Sequence, residues 1–321
     1  MLALNDKWLW DFWLYRDNDT WHIYYLQADK NLGDSDLRHW HVSQGHATST
    51  DLRQWDIKGT CLRPAASPAW DDNTTWTGSV VRDEDGLWHL FYTGTSNTEQ
   101  GLKQRIGHAT SHDGHHWQRV GTGLALDLDP AVYEEHIPGH WHDRALRDPW
   151  VIKDPEGKGW LMYFTARVPD RCEANEGGAI GLATSDDLTH WQLQPPVFTG
   201  YFGQLEVPQV FEYRERWYCL FSTAREHWSQ RYTDSTAQQP VGGTHYLIAS
   251  HPRGPWRVAP GPFLDGNNPI IRYAGKIALH NNELVFMAFM HDSPTGEFIG
   301  KITNPMRVTV DEHQGLLHLS E

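Results

Sequence analysis

Three carboxylates occupy similar places ahead of aromatic strands. Asp11, Asp148 and Glu206 lie 10, 12 and 11 residues before the tryptophan that begins the next strand-like segment. Carboxylates gathered in a poorly hydrated site repel one another, and the one least stabilised by hydrogen bonds has its pKa raised. Cleavage of a glycosidic bond needs such a pair, an acid for the departing oxygen and a carboxylate across the sugar ring. The spacing therefore predicts glycosidase chemistry if the fold brings the three residues together.

An internal repeat gives the reason to expect that they meet. Five short aromatic or β-branched segments align with spacings of 67, 72, 57 and 67 residues, on Trp21, Trp88, Trp160, Trp217 and Leu284. A second element follows most copies, with the sequences GHATSTDLRQW, GHATSHDGHHW, GLATSDDLTHW and the degenerate IASHPRGPW. Each runs from an apolar strand into a Thr/Ser pair and a turn, which is typical of β-hairpins in series. Asp51, Asp113 and Asp187 recur in these turns, where we expect them to cap backbone N–H groups.

Radial repetition hides nearly all strand edges without a closed barrel. The repeat therefore predicts an all-β fold, a single five-bladed β-propeller over residues 1–321 with four-stranded antiparallel blades. Segments 10–13, 77–81, 147–152 and 206–211 are predicted innermost strands, which would place the three carboxylates at one axis. Two unrelated β-sandwiches are the alternative, but they predict no shared period. Residues after about Arg307 are expected to return to the N-terminal strand and close the ring.

Composition excludes several classes of protein. The 321 residues are 39% hydrophobic, which suffices for a core, and 41 acidic against 27 basic residues give a net charge of -14. That charge argues against nucleic acid as a partner. No apolar run reaches the roughly 18 residues of a membrane span, and the first residues lack the features of a signal peptide, so we expect a cytoplasmic protein. The three cysteines are too widely spaced for a disulfide framework and are predicted to be buried thiols.

The motifs resemble the clan of five-bladed glycosidases that contains glycoside hydrolase family 32 (invertases, inulinases and levanases), family 68 (levansucrases) and, more remotely, family 43. Residues 147–149 are similar to the Arg-Asp-Pro motif of families 32 and 68, and residues 76–79 to their aromatic-Ser-Gly-Ser motif. The segment from Gly45 is similar to a family 32 blade motif. Residues 206–211 resemble the Glu-Cys-Pro-Asp-Leu-Phe motif, with Val207 and Gln209 as replacements.

Two segments depart from the family 32 pattern. Residues 10–13 lack Asn-Asp-Pro-Asn-Gly and are more similar to the Trp-Asp-Ser-Trp of family 68. Gln27 matches the glutamine of the Phe-Tyr-Gln strand but is one residue out of register, so it would face the other side of the sheet unless a bulge intervenes. The chain ends where family 32 enzymes usually continue into a C-terminal β-sandwich, so we expect a propeller without that module.

The resemblance implies a retaining β-fructofuranosidase that hydrolyses sucrose or fructo-oligosaccharides through a fructosyl-enzyme intermediate, with fructosyl transfer as a further outcome. It implies that Asp11 is the nucleophile, that Glu206 is the acid/base and that Asp148 binds ring hydroxyls in the transition state. Substrate-binding residues are expected from the same motifs and the neighbouring aromatic positions. They are Trp10, Trp13, Trp76, Ser79, Arg147, Gln27 and Tyr273.

Two alternatives remain at the level of the sequence. One is an inverting arabinanase or xylosidase similar to family 43, and the other is a non-catalytic propeller that binds sugar or protein. His136, His140 and His142 raise the question of a metal, but Pro138 and Gly139 make the segment a loop, so solvent-facing histidines are expected. We therefore expect no metal and no cofactor at the site, with a structural calcium as the remaining option. The expected partner is a small carbohydrate, and the oligomeric state is open.

Overall fold

The computed structural model describes residues 1–157 and 159–320, and these residues form five antiparallel sheets. Blade 1 contains β1 (Lys7–Asp17), β2 (Thr20–Asp29), β3 (Ser43–Ser49) and β4 (Asp56–Leu62). Blade 2 contains β5 (Thr74–Arg82), β6 (Trp88–Thr95), β7 (Arg105–Ser111) and β8 (Gln118–Leu126). Blade 3 contains β9 (Leu146–Lys153), β10 (Trp160–Arg167), β11 (Gly178–Ser185) and β12 (Gln192–Thr199).

The last two blades each carry one additional short strand. Blade 4 contains β13 (Glu206–Tyr213), β14 (Arg216–Thr223), β15 (Gly242–Ala249) and β16 (Arg257–Val258), and β17 (Asp265–Asn267) also pairs with β15. Blade 5 contains β18 (Arg272–His280), β19 (Glu283–Asp292), β21 (Met306–Val310) and β22 (Leu317–Leu319), and β20 (Phe298–Ile302) also pairs with β19. Short helices occupy connections, namely α1 (Gln230–Ser235) and the 3-10 turns Lys30–Leu32, Ser35–His39, Ala174–Glu176 and Arg225–His227.

The five blades form a closed ring, which confirms the predicted propeller. The first strand of each blade contacts the first strand of the next in the order β1, β5, β9, β13, β18 and back to β1. The repeat found in the sequence falls on the second strand of every blade, β2, β6, β10, β14 and β19. The predicted innermost strands are therefore the innermost strands of the structure.

The ring closes differently from the expectation. Residues after Arg307 complete blade 5 itself, because β21 pairs with β19 and β22 pairs with β21. The N-terminal residues instead contact β20, where Leu2 exchanges backbone hydrogen bonds of 2.9 and 3.0 Å with Ile302. The C-terminal residues therefore do not join the N-terminal strand, since β19 offers them a complete pairing edge within their own blade.

The glycine of the second repeated motif packs beneath an aromatic ring of the neighbouring strand. A Cβ atom added to Gly107 would lie 2.3 Å from the ring of Tyr92, and the same relation holds for Gly45 with Tyr25 and for Gly181 with Phe164. Any side chain at these positions would displace a fully buried ring. The repeated glycine is thus a packing requirement of blades 1 to 3.

The turns after this motif are held as the sequence predicts. Asp51, Asp113 and Asp187 each accept two backbone N–H groups, at 2.8 to 2.9 Å, within the turn that follows their strand. The cysteines differ from the expectation of buried thiols, since Cys219 is buried, Cys61 is partly buried and Cys172 is exposed. Within the described residues, no helix has the length and apolar character needed to cross a membrane.

Substitution of Gly107 by alanine tests the packing argument. We expect Gly107→Ala to lower the free energy of unfolding by about 1–3 kcal/mol, because the new methyl group displaces Tyr92 from its place in the core. Tyr92 also donates to Asp71 at 2.8 Å, and that bond would be strained. Denaturant titration measures the change, with His112→Ala in the exposed adjacent turn as the control, expected within about 0.5 kcal/mol of wild type. Equal stability of all three proteins would contradict the prediction.

Candidate active site

A β-bulge at the same place in every innermost strand builds the centre of the propeller. In each strand two residues oppose one residue of the second strand, and the register continues normally beyond them. Bulges of this kind re-aim side chains and are common beside active sites. The two opposing residues are the bulge pair. We call the residue just before the pair the pre-bulge level, the first residue of the pair the bulge level, and the residue just after the pair the post-bulge level. The pre-bulge level is Trp10, Trp76, Arg147, Glu206 and Tyr273; the bulge level is Asp11, Thr77, Asp148, Val207 and Ala274; the post-bulge level is Trp13, Ser79, Trp150, Gln209 and Lys276.

The sequence spacing suggested that the three carboxylates share one repeat position, and this prediction is wrong. Asp11 and Asp148 are equivalent residues of the bulge level, whereas Glu206 stands one residue earlier, at the pre-bulge level. The spacing of 10 to 12 residues includes hairpins of different lengths, so counting along the chain cannot resolve one position. The bulge nevertheless brings both levels to the same cavity.

A cavity of about 450 Å³ opens at these two levels. Asp11, Asp148 and Glu206 all line it, together with the predicted residues Trp10, Trp76, Arg147 and Tyr273. The volume lies within the roughly 300–1,000 Å³ typical of small-molecule sites. The structure therefore places the three carboxylates around one hollow of the size that a sugar needs.

Arg147 connects most of the acidic groups of the cavity. Its guanidinium donates to Glu206 at 3.1 Å and lies 3.6 Å from Asp148 and 3.3 Å from Asp143. It also donates to the side-chain oxygens of Gln104 and Gln204 at 3.0 and 3.1 Å. Arg147 is buried, and the carboxylates around it hold its pKa above the usual value despite that burial. A planar guanidinium with this many partners is rigidly oriented, so it fixes Glu206 relative to Asp148.

Asp148 is held from two blades. One of its carboxylate oxygens accepts from the Thr165 hydroxyl and from the Val207 backbone N–H, both at 3.0 Å. Its backbone φ is positive, at 58°, as are those of Val207 and Ala274 at the same level, and few residues other than glycine adopt this conformation. Burial raises the pKa of Asp148 to about 7; Arg147 opposes the rise, and the charges of Asp11 and Glu206 add to it.

Asp11 receives a different set of neighbours. Thr77, its equivalent in blade 2, donates from its hydroxyl to Asp11 Oδ2 at 2.7 Å. Burial raises the pKa of Asp11 and the charge of Glu206 adds to the rise, whereas the bond from Thr77 and the cations Lys276 and Arg38 lower it. Replacement of the first serine of the aromatic-Ser-Gly-Ser motif by threonine thus keeps the hydroxyl that binds this carboxylate.

Glu206 is oriented through both of its oxygens. Arg147 donates to Oε1, and the Tyr273 hydroxyl donates to Oε2 at 2.6 Å. Burial and the charge of Glu206 raise the pKa of Tyr273 well above its usual value, so the phenol remains a donor. The Glu206 side chain keeps 22% of its surface exposed, so it is reachable from the open side of the cavity.

Three predicted binding residues lie away from the cavity. Trp13 is fully buried against Tyr24, and Ser79 accepts the Val151 N–H at 3.1 Å, because the post-bulge level packs blade against blade. Gln27 is buried in blade 1 and donates to Thr60 at 2.9 Å and to Ser43 at 3.3 Å. Its neighbour in the chain, Leu26, lines the cavity instead, as the register argument against Gln27 implied.

Several lining residues have no counterpart in the sequence prediction. Gln204 and Asp143 lie two and four residues before predicted site residues, so chain proximity is a signal that could have found them. Arg38 and Gln104 come from connections that carry no repeat position. Arg38 is nevertheless buried, with its guanidinium 3.9 Å from the centre of the Phe298 ring.

The histidines before Arg147 do not form a metal centre in the structure. His142 lines the cavity, whereas His140 pairs with Glu134 at 3.2 Å. The described residues contain no group of three or more His, Cys, Asp or Glu side chains arranged to hold a metal ion. The expectation that the site needs no cofactor stays a prediction.

Comparison with known proteins identifies a family. The protein-family model for the N-terminal domain of glycosyl hydrolases family 32 matches residues 8–256 of this chain. An extracellular sucrase of Zymomonas mobilis is 26% identical over 250 aligned positions, and the match covers 64% of this chain and 59% of the sucrase. A sucrose-6-phosphate hydrolase of Bacillus subtilis is 31% identical over 181 residues, 56% of this chain and 32% of that protein. The chain thus spans less than two thirds of the length of these curated relatives.

Solved structures show the same fold at lower sequence identity. The inulosucrase from Halalkalicoccus jeotgali bound to kestose has a TM-score of 0.79 at 20% identity, over 98% of this chain and 87% of that one. The levansucrase from Gluconacetobacter diazotrophicus has a TM-score of 0.74 at 17% identity, over 100% of this chain and 82% of that one. These two likenesses establish the propeller architecture.

The raised pKa of Asp148 predicts a pH-dependent cost to stability. A carboxyl that ionises near pH 4 in the unfolded chain and at about 7 in the folded protein favours folding at low pH, and this contribution is lost as the pH rises from 4 to 7. Asp148→Asn removes the buried charge. We therefore expect the melting temperature of the variant, relative to wild type, to be higher at pH 8 than at pH 4. Asp19→Asn, which alters an exposed carboxylate, should show no such difference. A pH-independent effect of Asp148→Asn would contradict the argument.

Proposed function

The chain belongs to glycosyl hydrolase family 32, and from this premise we propose that it is a retaining β-fructofuranosidase acting on sucrose or fructo-oligosaccharides. The observation that carries the proposal is the meeting of Asp11, Asp148 and Glu206 around one cavity, each with a different set of partners. The names of the curated relatives, a sucrase, an invertase and a levanase among them, point to the same class of substrate. The family 43-like alternative and the non-catalytic alternative find no support in the comparisons.

Asp11 is the nucleophile in this proposal. Thr77 binds Oδ2, which leaves Oδ1 to attack the anomeric C2 of a fructosyl unit. As the bond from C2 to the leaving-group oxygen breaks, Glu206 transfers its proton to that oxygen. The products of this step are the free leaving sugar and a fructosyl ester of Asp11.

Glu206 then acts in the opposite sense. It removes a proton from water, the hydroxide oxygen bonds to C2, and the ester bond to Asp11 breaks, so that fructose leaves with its original configuration. The donors Arg147 and Tyr273 stabilise the carboxylate form that Glu206 takes between the two steps. The exposed fraction of the Glu206 side chain supports water as the acceptor of the fructosyl group. A sugar hydroxyl that entered by the same route would accept the fructosyl group instead, which gives fructosyl transfer.

Asp148 serves as a binding group for ring hydroxyls. A carboxyl whose pKa is about 7 both donates and accepts hydrogen bonds at acidic pH and is a stronger acceptor at alkaline pH. Those bonds strengthen as charge develops on the sugar ring. Trp10 and Trp76 provide apolar walls beside it. A cytoplasmic location and action without a metal stay predictions from the sequence.

Substitution of the two reacting carboxylates tests the assignment. We expect Asp11→Asn to lower kcat/KM for sucrose by on the order of 10⁴, because the nucleophile is lost. Glu206→Gln should lower it by about 10²–10⁴, the usual contribution of acid–base catalysis. Release of fructose from sucrose, inulin and levan measures activity, and early proton NMR of the product reports the retained β-anomer. Asp19→Asn is the carboxylate-to-amide control and should behave as wild type.

The same experiment separates the alternatives. Full activity in either cavity variant would overturn the roles given to Asp11 and Glu206. An inverted product would identify the inverting mechanism. Wild-type protein that binds sucrose in calorimetry but releases no fructose from any of the three substrates would favour a non-catalytic sugar-binding protein.

The charge of the cavity predicts preference for an uncharged substrate. Among the described lining residues, five carboxylates stand against two guanidinium groups, namely Asp11, Asp143, Asp148, Glu206 and Glu226 against Arg38 and Arg147. Even with Glu206 protonated as the acid, the carboxylates outnumber the guanidinium groups once Asp148 is ionised above its pKa of about 7, so a phosphate group on the sugar would be repelled there. We expect kcat/KM for sucrose to exceed that for sucrose 6-phosphate at least about tenfold at alkaline pH and low salt, and the gap to narrow as salt screens the repulsion. Equal or better cleavage of the phosphorylated sugar would contradict this prediction.

A further inference from the structure

A lysine lies buried just below the carboxylates. Lys276 belongs to the post-bulge level, where the other four residues, Trp13, Ser79, Trp150 and Gln209, are neutral. Only 2% of its surface is exposed. Lysine is almost never fully buried without a partner for its charge, because removing an ammonium group from water is costly. The position therefore calls for a compensating interaction.

Lys276 binds the bulge of β13, next to the proposed acid/base Glu206. Its Nζ donates to the backbone carbonyl of Val207 at 2.6 Å. Val207 directly follows Glu206, has a positive φ of 49°, and donates its own N–H to Asp148. One peptide segment of β13 is thus fixed through its carbonyl by Lys276 and through its N–H by Asp148, which sets where Glu206 leaves the strand.

The two carboxylates of the bulge level favour the charged form of Lys276. The titratable groups acting on it are Asp11 from β1, Asp148 from β9 and the buried thiol of Cys219 from β14. Burial lowers the pKa of Lys276 to about 8, and the carboxylates oppose that decrease, so the ammonium form persists at neutral pH. In turn, Lys276 and Arg38 are the cations that favour ionised Asp11.

We propose that Lys276 is a positioning residue of the active site: its buried ammonium holds the β13 bulge through the Val207 carbonyl and places a positive charge one level below the Asp11 carboxylate of the adjacent strand β1. The proposal rests on the proposed function, because it assigns Lys276 to the support of the nucleophile. Lys276 itself need not touch the substrate, since it lies one level below the cavity-lining residues.

Two substitutions separate the charge from the hydrogen bond. Lys276→Met removes both, whereas Lys276→Gln removes the charge and keeps a donor for the Val207 carbonyl. Loss of a nearby positive charge raises the pKa of a carboxyl, so the acidic limb of kcat/KM against pH, which reports ionisation of the nucleophile, should move to higher pH. In both variants we expect the acidic limb of the kcat/KM profile to move up by about one pH unit. At pH values above the displaced limb, kcat/KM should approach a plateau. Gln209→Met is the matched control, because it breaks two buried hydrogen bonds at the same level without changing charge, and its acidic limb should coincide with wild type.

The outcomes are distinct. The proposal would be overturned if the acidic limb stayed in place in both lysine variants. It would also be overturned if the limb moved in Lys276→Met but not in Lys276→Gln, or if it moved in Gln209→Met as far as in the lysine variants. Carbon NMR of protein labelled at the aspartate carboxyl carbons gives a readout without turnover, with the Asp11 signal identified by its loss in Asp11→Asn. A raised Asp11 pKa in Lys276→Gln supports the proposal even if wild type cleaves no fructoside, and an unchanged Asp11 pKa overturns it even if wild type does. Failure of the proposed function and failure of this proposal are thereby distinguished.

Discussion

Three carboxylates around one small cavity repel one another, and the rest of the site is arranged around that repulsion. Coulomb energies between charges a few ångströms apart are large wherever water is excluded, so each acid needs a cation or a donor of its own. Arg147 forms ion pairs with Glu206 and Asp148. Thr77 donates a hydrogen bond to Asp11, and the positive charge of the buried Lys276 favours the ionised form of that carboxyl. These different environments are what allow chemically similar groups to take different roles.

The repeated bulge is the structural means by which this crowding is achieved. A regular strand would send successive side chains to opposite faces, so Arg147 and Asp148 could not both reach the same cavity. The extra residue brings two consecutive residues to the cavity in blades 1 to 4, and the same bulge recurs in blade 5, where Tyr273 lines the cavity. The positive φ angles at Asp148 and Val207 accompany this geometry, which the packing of the ring sustains.

Blade repetition and chemical specialisation coexist because they use different residues. The glycine beneath an aromatic ring, exemplified by Gly107 under Tyr92, and the turn aspartates such as Asp113 recur in blades 1 to 3, where they serve packing and turn formation. The pre-bulge and bulge levels instead differ in almost every blade, as Trp10, Arg147 and Glu206 illustrate. An identical scaffold can therefore hold a set of unlike groups at its centre, which a single reaction requires.

The sequence by itself determined the propeller, because the aromatic strand and the glycine motif are local packing units whose period survives in the chain. It also predicted Asp11, Asp148 and Glu206 as site residues from their place ahead of those strands, and the structure brings all three to one cavity. Only the tertiary structure decided that Glu206 stands one level above the other two, that Trp13, Ser79 and Gln27 lie outside the cavity, and that Lys276 and Arg38 belong to the site's electrostatics. The physical reason is that a bulge changes side-chain direction without a distinct residue signature, and that charges interact through space between blades far apart in the chain.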